Sequence, residues 1–385
     1  MKIGLMIEQL NPARGGAAQW TLQFARELLS RGHEVHIVAE SVAAEACALP
    51  LIPHCLGRIR SRLALAAAAE SQLRSLNLDV IHDGGAGWHC DVFMPHYGSR
   101  RAAIEQNSRF APRWLQPGQR WLNARLPRYR EFEALMARQF RDDGRLFVAL
   151  SNRVAADFRR LHGIPAEQIR VIYNGVDTDR FTPVAEDAQV RQAVRSRLGL
   201  SDEGLLLLVV AHNFRLKGVP LLLRAMARLA AQGVEAQLVV AGGKRWHRAA
   251  HQAAALGLDG RVRFAGSIAD PRPLYAAADV YVHPTFYDPC SLVVLEALAS
   301  GLPVVTTACN GASELMTQGQ EGFVLDDPTD LEQLLARLAI LRNPATRRQM
   351  GVAARQLALR NTFARNAEQL LAVFEERALR HRRVA

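Results

Sequence analysis

With 385 residues, of which 49% are hydrophobic and 22% charged, the chain is long enough for two or three globular domains with a sizeable core. Its formal net charge of +11 indicates anionic partners or anionic surroundings. Five scattered cysteines without a C-x-x-C pair argue against a disulfide framework and a zinc site. No apolar run has transmembrane or signal-peptide length. Together these features predict a cytoplasmic protein.

The first third of the chain alternates apolar strands with helices. Such alternation predicts a parallel sheet wrapped by helices, and we assign residues 1–172 to this first Rossmann-like domain. The predicted strands are Lys2–Ile7, Glu34–Val38, Asp79–Ile81, Val92–Pro95 and Leu146–Ala149, and the clearest helices are Ala17–Arg31 and Arg62–Ser75.

A basic segment, residues 99–130, interrupts this domain. It contains eight arginines against one acid, Glu105, and so carries +7 of the total charge of +11. Phe110, Trp114 and Trp121 lie among the arginines. Arginine mixed with tryptophan and leucine is typical of a segment that rests on anionic headgroups, and also of nucleic-acid binding, whereas a solvated helical face is the plain alternative.

The alternating pattern begins again after an Asn-Gly turn, and we place a hinge near residues 170–185. Residues 173–362 form the predicted second domain, and 363–385 a C-terminal helix that can cross back to the first. Strands apolar throughout indicate burial on both faces. They are predicted at 205–211, 236–241, 261–265, 280–283, 303–306 and 323–325, with helices at 219–232, 247–256 and 292–300 and a helical turn near 273–278.

The predicted fold class is therefore α/β, with two Rossmann-like doubly wound domains that face each other across a cleft. Ligands of such sheets bind at the carboxyl ends of the strands, so the chemistry is expected in the loops that follow them. The letters Asp177-Thr178-Asp179 match a D-x-D motif, but they lie at the hinge rather than after a strand of the second sheet, and we interpret them as a turn.

Two candidate loops follow strands of the first domain. Gly15 and Gly16 precede a helix, where paired glycines allow a ligand to approach the backbone and the helix start offers N–H donors; a tight turn without a ligand is the alternative. His96 follows the strand that ends at Pro95 and can hydrogen-bond a sugar hydroxyl, although a lone histidine is as often a core or surface residue.

In the second domain, the loop after the first strand carries Arg215 and Lys217, whose charges could neutralise a diphosphate; a solvated pair is the alternative. Asp288 and Glu296 then stand eight residues apart, the first in a proline-containing loop and the second on an apolar helix. Asp288 could simply open the helix, and Glu296 could face solvent. However, an acid flanked by apolar residues costs free energy unless it has a hydrogen-bonding partner, and ribose hydroxyls would be such a partner for Glu296.

The segment 286–297 resembles the E-x7-E signature of family 4 glycosyltransferases, which are retaining, nucleotide-sugar-dependent enzymes of the GT-B fold. Here the first acid is Asp288 rather than Glu. The loop 212–218 is similar to the family's G-R-L-x-x-K-G element, with His212 in place of the usual arginine and Arg215 as a shifted substitute. The resemblance extends from the Gly-Gly loop to residues 310–314.

The resemblance implies a role for each candidate. Glu296 would bind the ribose and Asp288 would orient the donor hexose, while His96 would lie near that sugar. The loop of Gly15 and Gly16 would face the acceptor and the donor phosphates. The diphosphate itself would be bound by two side chains and three main-chain N–H groups, those of Arg215, Lys217, Ser291, Leu292 and Val293.

Within the family the chain is most similar to the enzymes that add glucose to the lipopolysaccharide core, on the strength of segments 215–219, 276–284 and 299–307 and of the basic insertion. This implies a hexosyltransferase without a metal or other cofactor, with a UDP-linked donor such as UDP-glucose and a saccharide or glycolipid acceptor. It also implies a peripheral position on the inner face of the cell membrane, through segment 99–130.

Two alternatives come from other classes. A UDP-sugar 2-epimerase shares the two-domain architecture, but it would need additional acid and base residues and no acceptor. A nucleic-acid-binding protein would use the arginine-rich segment as its site and would bind in a salt-sensitive way without turning over nucleotide sugars. We expect the glycosyltransferase, and no nucleic-acid partner.

Overall fold

The computed structural model describes residues 1–108, 125–183, 188–201, 203–243 and 246–384. The chain divides into two compact units. The first comprises Met1–Tyr173 together with the residues from Ala364 onward, and the second comprises Asn174–Phe363.

The first unit is built on a parallel sheet whose described strands follow the order β3-β2-β1-β4-β5-β6-β7. Every neighbouring pair is parallel, and the interior strand β1 places Leu5 between Ile37 and His82. The strands are β1 (Lys2–Met6), β2 (Glu34–Ala39), β3 (Ile52–Cys55), β4 (Val80–Asp83), β5 (Val92–Phe93), β6 (Leu146–Ala149) and β7 (Ile169–Val171).

Helices pack on this sheet, and the longer ones bury apolar side chains. Trp20, Phe24 and Leu28 of the first helix are almost fully buried. The described helices are α1 (Gly16–Ser30), α2 (Ala44–Cys47), α3 (Arg62–Ser75), α4 (Arg100–Ser108), α5 (Pro127–Gln139) and α6 (Asn152–His162), with short 3-10 turns at Pro12–Arg14 and Ala166–Gln168.

The second unit contains another all-parallel sheet, whose described strands follow the order β10-β9-β8-β11-β12-β13. Strand β8 has the sequence LLLLVV and is buried over almost its whole length, because helices cover both faces of the sheet. The strands are β8 (Leu205–Val210), β9 (Ala236–Ala241), β10 (Val262–Gly266), β11 (Val280–His283), β12 (Val304–Thr307) and β13 (Gly322–Leu325).

The helices of the second unit are joined to its sheet by a buried ion cluster as well as by apolar contacts. Asp279, directly before β11, accepts from the Arg195 guanidinium at 2.9 Å and from Arg191 at 2.5 Å. The described helices are α7 (Ala188–Arg197), α8 (Val219–Ala231), α9 (His247–Ala255), α10 (Arg272–Ala277), α11 (Leu292–Ala299), α12 (Leu331–Ile340) and α13 (Pro344–Arg360), with a 3-10 turn at Gly311–Leu315.

The last helix, α14 (Phe363–Val384), belongs to the first unit from Ala364 onward. Phe374 packs edge-to-face on Phe24 of α1, with ring centroids 5.8 Å apart. Asn366 accepts a hydrogen bond from the Trp20 indole at 3.2 Å, and its amide donates to the Tyr173 carbonyl at 2.7 Å.

The predicted strands and helices are confirmed to within about two residues, except that only Val92 and Phe93 of the strand predicted at 92–95 pair in the sheet. Strand β3 and helix α7 are among the elements that were missed. Strand β3 contains a proline and lies exposed at the sheet edge, where proline is tolerated, and α7 carries a polar, arginine-rich sequence without a clear apolar side. The D-x-D letters form a turn, as expected, because the Asp177 carboxylate accepts from the N–H groups of Asp179 and Arg180.

Of the basic segment 99–130, residues 99–108 and 125–130 are described, and they include α4 and the start of α5. Residues 109–124, which include three of its eight arginines and the aromatic residues Phe110, Trp114 and Trp121, lie outside the described residues. None of the helices in the described ranges combines the length and the apolar character needed to cross a bilayer.

Candidate active site

The candidate site in the second unit lies at the carboxyl edge of its sheet. Strands β8 and β11 are direct neighbours, with Val280 opposite Leu207, so the loops that follow them come together. Lys217 in the first loop places its Nζ 2.5 Å from Asp288 Oδ2 in the second, and 3.3 Å from the Tyr287 carbonyl oxygen. Two residues 71 positions apart therefore form one ion pair.

His283, the last residue of β11, is the third member of this group. Its side chain is 1% exposed, and its Nε2 lies 3.5 Å from Asp288 Oδ2. Burial alone would raise the pKa of Asp288, but the Lys217 charge and the contact with His283 outweigh burial and hold that pKa well below its usual range. Asp288 is therefore ionised at any physiological pH.

The backbone at Asp288 is fixed from the side of β12. Its N–H donates to the Cys309 carbonyl at 3.1 Å, and its carbonyl accepts from the Gly311 N–H at 2.8 Å. This pair of bonds forms a short parallel bridge with Asn310. The carboxylate is thus held in place by main-chain geometry as well as by its ion pair.

Helix α11 begins beside this loop, and Ser291 is its N-cap. The Ser291 N–H, which the sequence assigned to a diphosphate, donates instead to Asn310 Oδ1 at 3.2 Å. The Ser291 Oγ is buried and has no hydrogen-bond partner among the described residues. The groups left for a ligand are therefore the Ser291 hydroxyl and the first-turn N–H groups of Leu292 and Val293, which have no intrahelical partner.

Glu296 lies one turn further along α11 and is half-buried. The Tyr275 hydroxyl donates to its Oε2 at 2.8 Å. Burial raises the pKa of Glu296 to about 7, against the opposing effects of the Tyr275 hydrogen bond and the Arg180 charge. The carboxyl group is therefore poised to gain or lose a proton, and a ligand that donates hydrogen bonds to it would favour the ionised form.

The loop with the cations passes close to the loop of Asp288. Gly218 has a φ of +76°, and a Cβ at this position would lie 2.1 Å from the Pro284 carbonyl oxygen, so only glycine fits. Lys217 is half-buried, whereas Arg215 and His212 are exposed. The structure thus brings Lys217 to Asp288, while Arg215 lies at the surface of the same loop.

The Gly-Gly loop lies in the first unit, after β1. Gly15 has a φ of +137° and caps α1, which begins at Gly16 without any side-chain cap. The N–H groups of the first turn are consequently free of capping by a side chain. The loop supplies the helix start that the sequence predicted.

His96 follows β5 in the same unit and is half-buried. Its ring lies 4.7 Å from that of Trp20, and its buried Nε2 has no hydrogen-bond partner among the described residues. Burial lowers the pKa of His96 to about 4. The imidazole is therefore neutral at physiological pH and can donate to or accept from a hydroxyl group.

Sequence reasoning missed three residues of this constellation: His283, Tyr275 and Asn310. The histidine has the same signal as His96, since it directly follows the apolar residues of a buried strand. Tyr275 and Asn310 carry no such signal, because their importance comes from the partners they reach, Glu296 and the Ser291 N–H. In the described ranges, no three His, Cys, Asp or Glu side chains form a group that could hold a metal ion.

Two family models cover most of the sequence. The model for Glycosyltransferase Family 4 matches residues 14–180, and the model for Glycosyl transferases group 1 matches residues 190–357. A D-inositol 3-phosphate glycosyltransferase of Corynebacterium jeikeium is 30% identical over 326 residues, which are 78% of this chain and 73% of that protein. The Lipopolysaccharide glucosyltransferase WaaG of Escherichia coli is 29% identical over 222 residues, 56% of this chain and 59% of WaaG.

Solved structures share the fold over nearly the whole chain. A crystal structure of WaaG, described as a glycosyltransferase involved in lipopolysaccharide biosynthesis, matches with a TM-score of 0.81 at 22% identity and covers 97% of this chain and 99% of its own. Anabaena Alr3699/HepE in complex with UDP-glucose matches with a TM-score of 0.74 at 20% identity, over 97% and 98% of the two chains.

Two parallel-sheet α/β units of this kind define a glycosyltransferase of the GT-B fold, as the sequence predicted. The chain belongs to the family 4 glycosyltransferases, whose two family models together run from residue 14 to residue 357.

Proposed function

We propose that this glycosyltransferase moves a hexose, with retention of configuration, from a UDP-linked donor such as UDP-glucose to a saccharide or glycolipid acceptor such as lipopolysaccharide core. The observation that carries the proposal is the ion pair of Lys217 and Asp288 beside the N-terminus of α11. A cation, a buried hydroxyl and free N–H groups there suit a diphosphate next to a sugar.

The diphosphate would contact Lys217, the Ser291 hydroxyl and the N–H groups of Leu292 and Val293, with Arg215 approaching from the surface of the loop. These groups are fixed before the ligand arrives, which is the condition for stabilising charge that develops on a leaving group. Glu296, one turn along the helix, would accept hydrogen bonds from the ribose. The donor would thus extend along the first two turns of α11.

Asp288 would orient the transferred hexose. Its ionised carboxylate can accept hydrogen bonds from sugar hydroxyls, and it is one methylene shorter than the glutamate of the resembled signature, which reduces its reach by about 1.5 Å. Asp288 is already paired with Lys217. One ion pair would therefore contact both parts of the donor, with Asp288 on the sugar and Lys217 on the diphosphate.

In the proposed reaction, the bond between the anomeric carbon and the donor phosphate oxygen breaks, and the acceptor hydroxyl oxygen forms a new bond to that carbon from the same face. The hydroxyl proton passes to the departing phosphate oxygen, so the products are the glycoside and UDP. Lys217 and the helix start would stabilise the charge that the leaving diphosphate gains. We propose that this requires neither a metal ion nor another cofactor.

The choice of donor and acceptor is supported by the relatives. WaaG is named as a lipopolysaccharide glucosyltransferase, and HepE binds UDP-glucose in its crystal structure. In the first unit, Gly15, Gly16 and the neutral His96 would contact uncharged hydroxyl groups and the donor phosphates. The basic segment 99–130 would hold the enzyme on the anionic inner face of the cell membrane, which a glycolipid acceptor requires.

The test is a panel of UDP-, GDP- and ADP-linked hexoses, in which release of the nucleoside diphosphate is measured with and without EDTA. We expect turnover with a UDP-hexose, and the chelator should not change it. NMR of the hexose, recorded as soon as it is released from the donor, should show the anomeric configuration that the hexose had in the donor. Loss of turnover with EDTA would contradict the metal-free mechanism. Inverted product would contradict retention, and an absence of diphosphate release from every donor would contradict the proposed function.

A further inference from the structure

The carboxylate of Glu296 has one protein partner among the described residues, and that partner comes from another helix. The hydroxyl of Tyr275, on α10, donates to Glu296 Oε2 at 2.8 Å and lies 3.2 Å from the Val293 carbonyl oxygen of the first turn of α11. Oε1 has no protein donor in the described part of the chain. The tyrosine therefore fixes one oxygen of the carboxylate and leaves the other for a ligand.

Tyr275 is itself immobilised by packing. Its side chain is 1% exposed, its ring meets that of Phe181 edge-on with centroids 6.0 Å apart, and the ring of Tyr281 lies 5.8 Å away on another side. A rigid aromatic ring has little rotational freedom to lose, so the position of its hydroxyl is set before any ligand binds.

We propose that Tyr275 is a positioning residue for the nucleotide: its hydroxyl holds the Glu296 carboxylate in the orientation and ionised form that accept the ribose hydroxyls of the donor. This inference rests on the proposed role of Glu296 as the ribose contact. Tyr275 does not touch the nucleotide in this proposal and acts only through Glu296.

The charges around Glu296 explain why a hydrogen bond from Tyr275 is needed there. The charged groups that face Glu296 are Arg180, which favours the carboxylate, and Asp270, which opposes it; Tyr281 is a further buried neighbour. Arg180 is exposed, and Asp270 is already paired with Arg272 at 2.7 Å. Since burial raises the pKa of Glu296 to about 7, the tyrosine hydroxyl is the nearest group that opposes its protonation.

The experiment compares the wild type with Tyr275→Phe, Glu296→Gln and the double variant. Calorimetry measures the affinity for UDP, GDP or ADP, whichever the wild type binds most tightly, at half-unit steps from pH 6 to pH 9. Tyr275→Phe keeps the buried ring and removes only the hydroxyl, and its thermal unfolding midpoint should stay within a few degrees of wild type. Expressing each variant as a ratio to wild type at the same pH cancels the titration of the ligand phosphate.

If loss of the hydrogen bond shifts the ionisation of Glu296 about tenfold toward the protonated form, the loss of affinity in Tyr275→Phe relative to wild type should be about fivefold larger at pH 7 than at pH 9, where only the lost orientation of the carboxylate weakens binding. In the Glu296→Gln background the same change should have no pH-dependent effect, because no ionisable carboxylate remains. Only a residue that acts through Glu296 gives this pH-dependent, background-dependent pattern.

The outcomes separate the two proposals. If Glu296→Gln weakens binding of the ribonucleotide but not of its 2′-deoxy analogue, while Tyr275→Phe has no pH-dependent effect, Glu296 contacts ribose and the role of Tyr275 is overturned. If Glu296→Gln binds both nucleotides as the wild type does, the ribose contact itself is wrong and the inference falls with it. An equal loss at every pH in both backgrounds would make Tyr275 a packing residue and overturn the inference.

Discussion

The carboxyl edges of the two sheets are built from different chemistry. In the second unit the edge carries full charges, with Lys217, Asp288 and His283 in contact and Glu296 nearby. In the first unit His82 and His96 are kept neutral by burial, which lowers their pKa values to about 3 and about 4, and burial raises the pKa of Asp83, the last residue of β4, to about 6. An edge with a cation suits a diphosphate, whereas neutral imidazoles beside a buried carboxyl group suit sugar hydroxyls.

The same contrast is visible in two serines that cap helices. In the first unit, Ser151 accepts from the Val154 N–H at 3.3 Å and so satisfies the start of α6 by itself. In the second unit, Ser291 occupies the same position on α11, but its hydroxyl has no protein partner in the described structure. A helix start left open beside a lysine is a place for a ligand, whereas a closed one only stabilises the fold.

The sharpest way to test the charged edge is to remove its cation. Lys217→Ala should lower kcat by about 10²–10³, because one fixed donor to the leaving group is lost. Lys217→Arg should recover part of that loss. Lys2→Ala, an exposed lysine paired with Glu34 in the first unit, is the matched control and should retain wild-type kcat. A loss of less than tenfold in Lys217→Ala would mean that the charged edge does not stabilise the leaving group.

The second test asks whether the proposed membrane binding depends on the basic segment of the first unit. Exposed Arg125, Arg128 and Arg130 lie in the described end of the basic segment. Replacing all three by Ser should weaken sedimentation with phosphatidylserine-containing vesicles roughly 100-fold, at about 1 kcal/mol per arginine near an anionic surface.

The control for this test takes three exposed arginines of the second unit. The triple variant of Arg224, Arg342 and Arg348 to Ser changes the net charge equally and should sediment like the wild type. Equal losses in both triple variants would show that only the net charge matters, and that segment 99–130 has no special role.

The neutrality of the buried His82 in the first unit can be tested through stability. His82 is uncharged when folded but takes up a proton on unfolding below about pH 6.5, so its contribution is lost as pH falls toward its folded pKa of about 3. His82→Phe, which suits the cluster of Trp20, Phe24 and Phe374, should gain about 2 kcal/mol relative to wild type between pH 7.5 and pH 5.

The free energy of unfolding from urea titrations at the two pH values checks this change. Parallel pH dependence in His82→Phe and wild type would show that His82 is not held neutral in the folded protein.

The smallest expected effects come from the two serines, which should respond in opposite ways. Ser151→Ala should lose about 1 kcal/mol of stability and keep wild-type kcat, because it removes a helix cap that takes no part in any proposed contact. Ser291→Ala should keep its stability and bind the nucleoside diphosphate about tenfold more weakly. Thermal unfolding and calorimetry on both variants give the comparison, and unaltered affinity in Ser291→Ala would remove its hydroxyl from the proposed diphosphate site.

Much of the fold could be predicted from local patterns. Strands such as Leu205–Val210 are apolar throughout, and a run of this kind between helices has few alternatives to a buried parallel strand. The sequence around the two acids likewise predicts a proline-containing loop for Asp288 and an apolar helix for Glu296. Strand β3 and helix α7 were missed because both are largely exposed and lack that apolar signal.

The α/β class, the two sheets and the family follow from the amino-acid sequence alone, because the periods of strands and helices and the spacing of the motif are local properties of the chain. Three pairings follow only from the folded structure: Lys217 with Asp288, Tyr275 with Glu296, and Asn310 with the Ser291 N–H. These pairings depend on the order of strands in the sheet. Because β8 lies beside β11 and β11 beside β12, loops far apart in the sequence meet at one edge, and no local pattern records which loops those are.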